Sequence, residues 1–256
     1  MNDEGKEDRL LVKSVVKAFR LLEVFDAENP ALSVKQLAAR CNLDRSATQR
    51  FVHTLMQLGY LQRNPETQLI EPSVRTLDIA AHFLHAHPLV DKARPYLLNL
   101  SKETEGSVSL SVMDGVDVVY LSRLLSRNML DTDITIGSRL PVFCTAPGLA
   151  MLSRLPEAEA REILTRSSLQ AYTPSTVWEP AAIMARLSSI RECGYALSVE
   201  EYFLSDISLA AAVLDRYNRP RAAVSISMSR SRKMPEAAEE EISGLLIATA
   251  RQLSVL

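Results

Sequence analysis

The sequence predicts an α+β chain: an N-terminal winged helix-turn-helix, a linker helix, and a C-terminal domain mixing helices with antiparallel strands. Three observations carry this expectation. Between residues 14 and 72, helical apolar periodicity and two capping signals lead into a strand–turn–strand pattern. Beyond residue 106 the texture changes to short alternating segments joined by tight turns, without regular βαβ crossovers. The composition, 47% hydrophobic and 23% charged, is ordinary for a globular protein.

Residues 1–13 read as a flexible arm. They are charged and lack an apolar signal core. Cys41, Cys144 and Cys193 form neither a disulfide framework nor a zinc spacing. No apolar run approaches the roughly 20 residues that span a bilayer. Together these predict a cytoplasmic protein with no membrane partner.

Ser14 opens a first helix, with Val15, Ala18, Phe19, Leu22 and Phe25 expected on its buried face. Asn29-Pro30 breaks it. Ser33 and Gln36 form a capping box for a second helix that buries Leu37 and Cys41. Asp44 caps a third helix running to Leu58, with Gly59 as its stop. Residues 60–63 and 68–70 flank Asn64-Pro65 as a β-hairpin wing, which Pro72 ends. Residues 73–88 read as a linker helix. Residues 89–256 then form a second domain. It opens on a helix containing Pro95 and ended by Gly106. A hairpin follows around Asp114-Gly115, then a short strand at Ile134–Ile136. Helices come near Gly148–Leu152, Pro156–Leu164 and Pro180–Glu192. Strands are expected at Tyr195–Val199, Ile207–Leu214 and Ala222–Met228, and a last helix from Pro235.

On the third helix, Ala47, Phe51, Leu55 and Leu58 are expected to face the core. Arg45, Ser46, Gln49 and His53, with Arg50 at the edge, then face outward. Arginine can pair with guanine and glutamine with adenine in a major groove, and serine can hold a phosphate at a helix start. A solvated polar face has the same pattern; the flanking helix and wing favour double-stranded DNA. Arg63 on the wing is placed either for phosphate or the minor groove, or as a plain surface charge. The net charge of −2 makes no diffuse basic field, so any DNA contact depends on these few side chains.

In the second domain, Ser225, Ser227 and Ser229 alternate with Val224, Ile226 and Met228, so the serines share one strand face. Such a row either receives a carboxylate or faces solvent. Cys144–Gly148 reads as a helix start with Pro147 in its first turn. Arg139 is open between an ion pair and a ligand contact. Cys144 or Ser208 as a nucleophile would need a base. All four histidines, His53, His82, His85 and His87, precede the second domain. No Gly-x-Ser-x-Gly or phosphate loop appears either, so no enzyme and no cofactor is expected. His82, His85 and His87 read as a polar connector surface, not a metal site.

Five blocks together resemble the IclR family of bacterial regulators. They are residues 14–19 with Leu37-Ala38, Asn42-Leu43, Ser46-Ala47-Thr48 and Leu58-Gly59-Tyr60-Leu61; Ala93-Arg94-Pro95; Met113 to Tyr120; Ile136 to Ala146; and Arg191 to Tyr195 with Glu200-Glu201. The fourth block resembles the branch regulating protocatechuate and 4-hydroxybenzoate breakdown. The resemblance implies a GAF-like effector-binding domain, a homodimer or homotetramer, operator DNA as partner, and a small carboxylate or aromatic effector. It implies that Ala146, Gly148, Ser198, Ser208, Ser225 and Ser227 line the effector pocket. The chain departs from the family's pattern at Pro147-Gly148-Leu149-Ala150, which lacks the usual lysine. It departs also at Ser198-Val199, at Ser205 where glycine is usual, in the 207–212 strand, and in a wing without glycine.

Overall fold

The computed structural model describes residues 10–126 and 134–254, so the first nine residues of the expected arm lie outside it. Backbone contacts divide the chain into two units, Met1–Leu84 and His85–Leu256.

The first unit contains helices α1 (Lys13–Glu23), α2 (Val34–Arg40) and α3 (Arg45–Gln57), then strands β1 (Leu61–Arg63) and β2 (Ile70–Pro72). The capping box forms: the Gln36 amide donates to Ser33 Oγ at 3.3 Å and the Ser33 amide to Gln36 Oε1 at 2.9 Å. Asp44 Oδ1 accepts from the Ala47 amide at 2.8 Å. Gly59, at φ +82°, turns the chain out of α3. The wing closes without glycine. Asn64 Oδ1 accepts from the Glu66 and Thr67 amides, and Gln68 takes the left-handed conformation at φ +60°.

Two faces differ from expectation. In α1 the innermost residue is Leu21, while Val15 and Phe19 are 51% and 54% exposed. The core of this unit is small, and only the C-terminal half of α1 and the residues after it, Leu22, Val24 and Phe25, pack on it. In α3 the buried side chains are Thr48, Val52 and Leu55, while Leu58 is exposed. Thr48 can turn inward because its hydroxyl donates to the Asp44 carbonyl at 2.9 Å. A helix α4 (Thr76–Ala86) follows, with no buried residue.

The second unit opens with α5 (Pro88–Glu103). Its sheet has six antiparallel strands: β3 (Ser107–Asp114), β4 (Asp117–Leu124), β5 (Arg139–Pro141), β6 (Ala196–Val199), β7 (Asp206–Leu214) and β8 (Pro220–Ser229). Their order is β5-β4-β3-β8-β7-β6. One face carries Val108, Leu110, Leu209, Val224 and Ile226 against α5 and the last helix, α9 (Pro235–Ser254). The other faces α6 (Ala146–Leu152), α7 (Glu157–Arg166) and α8 (Pro180–Cys193). Helices therefore cover both faces, and the strand alternation partitions two cores.

Ile134–Ile136 is not a strand. Ile136 and Gly137 form a turn, with the Gly137 amide donating to the Tyr120 carbonyl at 2.8 Å, and pairing begins only at Arg139. Gly106 does not end α5, which stops at Glu103. A Cβ at Gly106 would lie 2.4 Å from Ile226 Cγ2, so glycine is required there for close approach to β8.

Candidate functional site

The outward side of α3 presents Arg45, Ser46, Gln49, Arg50 and His53, all exposed. Among the described residues, the side chains of Arg45, Gln49, Arg50 and His53 make no hydrogen bond or ion pair. Arg63 instead donates to the Gln68 carbonyl at 2.7 Å, which ties it to the turn of the wing.

The second candidate site lies on the small-residue face of the sheet. Strand register places Ser107, Ser227, Ser208 and Ser198 directly opposite one another across four strands. Ser109, Ser225, Ala210 and Ala196 form the next row. Ser107, Ser109, Ser198, Ser208 and Ser225 are buried and Ser227 is half-buried, so the alternation does not mark an open solvent face. Small side chains let α6, buried along its whole length, approach the sheet.

A polar cavity of about 20 Å³, room for one water-sized group, opens beside this row. Its lining includes Ala146, Ser198, Ser208 and Ser227, together with Tyr120, Cys144, Tyr202, Phe203 and Asp206. Gly148 and Ser225 do not line it. Gly148 faces the other way: a Cβ there would fall 2.2 Å from the Val142 carbonyl oxygen. Ser225 lies one row further along the sheet, beneath α6.

Asp206 was not singled out in the sequence, although it shares the parity of Ser208. Its Oδ2 accepts from Ser208 Oγ at 2.7 Å, and the Ser208 and Ser227 hydroxyls are 2.8 Å apart. Burial pushes the Asp206 pKa up to about 6, against the opposing pull of the Ser208 hydrogen bond and the Arg123 guanidinium. Ser198 Oγ donates to the Cys144 carbonyl at 3.4 Å. Among the described residues, no lysine, arginine or histidine lines the cavity. Burial pushes the Cys144 thiol up to about 12, so it is held protonated and is a poor nucleophile.

The segment carrying Tyr202 and Phe203 is pinned from behind. Arg186 pairs with the buried Glu201 at 2.7 Å, and Thr176 Oγ1 donates to the Glu201 carbonyl at 2.6 Å. Arg139 is occupied by Asp114 at 2.7 Å and Asp117 at 3.1 Å, a clamp across the β3–β4 hairpin. Arg191 donates to the Ser153 and Leu155 carbonyls, tying α8 to the end of α6. Among the described residues, no cluster of metal-ligating side chains occurs, and no helix is long and apolar enough to cross a membrane.

The chain matches the family described as "Bacterial transcriptional regulator IclR C-terminal" over residues 81–255 and the "IclR helix-turn-helix domain" over residues 14–65. It is 27% identical over 241 residues to the Pca regulon regulatory protein of Pseudomonas putida, covering 94% of this chain and 82% of that protein. The fold matches that of a transcriptional regulator from Rhodococcus sp. RHA1 with a TM-score of 0.84 at 28% identity, over 96% of this chain and 98% of the other. An IclR homologue from Microbacterium hydrocarbonoxydans, complexed with 4-hydroxybenzoate, shares the fold at a TM-score of 0.79 and 22% identity, over 94% of this chain and 98% of the other. Matches over both regions, in the order a helix-turn-helix and an effector-binding domain require, mean that the chain belongs to the IclR family of DNA-binding transcription regulators and is not an enzyme.

Proposed function

We propose that residues 14–72 read operator DNA, that residues 73–88 link, and that residues 89–256 bind a small organic acid which modulates the reading. In this division of labour α3 enters the major groove. Arg45, Gln49, Arg50 and His53 reach base edges, and Ser46 holds phosphate near the helix start. Arg63 stiffens the wing and brings one positive charge toward the backbone. A single winged helix covers little DNA, so the functional species is a homodimer or homotetramer on paired half-sites. Supporting this, α4 exposes Leu77, Ile79 and Phe83, and α1 exposes Val15 and Phe19, apolar surface that a second copy would cover. The protein works in the cytoplasm, where its DNA is.

The effector is an aromatic acid, in keeping with the Pca regulon relative and with the 4-hydroxybenzoate bound by the Microbacterium homologue. The cavity as it stands has room for one water-sized group, so Tyr120, Tyr202 and Phe203 would have to move apart to flank its ring. Among the described residues the Tyr120 and Tyr202 hydroxyls make no hydrogen bond, which leaves them as donors for a carboxylate. The observation that carries the reading is a buried polar cavity in a regulator whose reading helix keeps its arginines unpaired.

Gel shifts on promoter DNA test the first half. Arg50→Ala and Gln49→Ala should each weaken specific binding by about 1–3 kcal/mol and leave the fold intact. Unchanged affinity in both variants would remove α3 as the reading element. For the second half, 4-hydroxybenzoate or protocatechuate should raise the melting temperature of the protein.

A further inference from the structure

Each hydroxyl of the serine row has one proton to give. Ser208 gives its proton to Asp206 Oδ2, at 2.7 Å. Ser227, 2.8 Å from Ser208, then gives its own to Ser208 Oγ. Ser198 gives its proton to the Cys144 carbonyl. The three serines of the row that line the cavity all spend their protons on protein acceptors, so they turn lone pairs, not protons, toward it. The second carboxylate oxygen, Asp206 Oδ1, accepts no hydrogen bond from the described residues. This end of the cavity is an acceptor corner and repels a carboxylate.

We infer that the Asp206–Ser208–Ser227 corner recognises a hydroxyl group of the effector, which donates its proton to the Asp206 carboxylate. The inference rests on the effector reading above and deepens it: the acid end of the ligand points away from this corner and its hydroxyl end points into it. Three features select a hydroxyl. The room beside the row, about 20 Å³, suits a water-sized group. The Arg123 guanidinium already acts on the Asp206 charge, so the corner does not call for a cation. Asp206 is half-buried, so a ligand lacking the hydroxyl would strip water from Asp206 Oδ1 and put no donor in its place, at a cost in affinity. Asp206 is thereby a specificity-determining residue, separating hydroxylated from unsubstituted ligands of the same shape.

The test is calorimetric titration of the full chain with 4-hydroxybenzoate, benzoate and 4-(aminomethyl)benzoate, alongside ligand-observed NMR with phenol. The wild type should bind 4-hydroxybenzoate about tenfold tighter than benzoate, the scale of one hydrogen bond to a charged group. Asp206→Leu and Ser208→Ala should each erase that preference, with both acids still bound and their affinities within about twofold of each other. Thermal melts of both variants establish that they fold, and the benzoate titration gives the same control at the site itself. Equal affinity of the wild type for 4-hydroxybenzoate and benzoate overturns the inference while the acid reading stands. Tighter binding of the aminomethyl compound overturns it in favour of a cation site. If neither acid binds but phenol does, and only when Asp206 is present, the corner is upheld and the acid reading fails. If phenol fails as well, both fall.

Discussion

Moving a carboxyl group out of water favours its protonated form, and at Asp206 this lifts the pKa from 3.8 to about 6. The unfolded chain carries the ordinary value. Below pH 3.8 both states hold the proton and the group costs nothing. Between about pH 4 and 6 the unfolded state ionises first, so stability falls as pH rises, and the cost is complete above pH 6. Asp206→Asn, which keeps the shape and cannot ionise, should therefore gain about 3 kcal/mol at pH 8 and almost nothing at pH 4. Thermal melts of the two proteins across that range measure it; a constant difference would mean that the carboxyl is not desolvated. The same residue marks what the sequence concealed. Ser225 and Ser227 stand out by alternation with branched apolar residues, and Ser208 opposes Ser227. Asp206 is two places before Ser208 and so on the same face, but it follows Ser205 at the mouth of a strand, where an aspartate reads as a turn residue. Extending the alternation one step back would have found it.

Element ends were legible because caps are local. Ser33, Gln36, Asp44 and Gly59 act on backbone within a few positions, and each does what its type and spacing imply. Faces were less so, because they depend on what lies across the core. Thr48 replaces Ala47 on the inner side of α3 through a hydrogen bond to a carbonyl, which a hydropathy pattern counts as polar. The strand expected at Ile134–Ile136 failed for a related reason: three β-favouring residues do not supply a partner, and register with β4 is available only at Arg139–Pro141. Gly148 illustrates tertiary demand most sharply, since α6 lies against the Val142 backbone with no room for a methyl group. Gly148→Ala should cost about 3 kcal/mol through overpacking. Gly244→Ala is the control. It lies within α9 with nothing inside 4 Å of an added Cβ, and it should gain about 0.5–1 kcal/mol from helix propensity. Denaturant midpoints would give both signs. A tolerant Gly148 would mean that the approach of α6 to Val142 is looser than described.

At the scale of the molecule, each unit carries its own hydrophobic core. Leu21, Leu37, Val52 and Ile70 cluster in the first, and the two clusters flanking the sheet lie wholly in the second. The second unit should fold when expressed alone, and a cooperative melt of residues 85–256 would show it. The proposed assembly would draw instead on surface that neither core uses. Leu77 and Phe83 of α4 are 63% and 53% exposed. If the proposed homo-oligomer forms through this surface, changing both to glutamate should leave monomer on light scattering and lower operator affinity, with no loss of effector binding; an unchanged mass would place the interface elsewhere. The sheet itself contributes little to such contacts, and its borders explain why. Its outermost strands are β5, three residues ending in Pro141, and β6, four residues. A proline has no amide to offer, and short margins present few unpaired backbone groups. Among the described residues the sheet therefore offers a neighbouring chain only short margins, which disfavours its extension from one copy to the next and with it the seeding of fibrils.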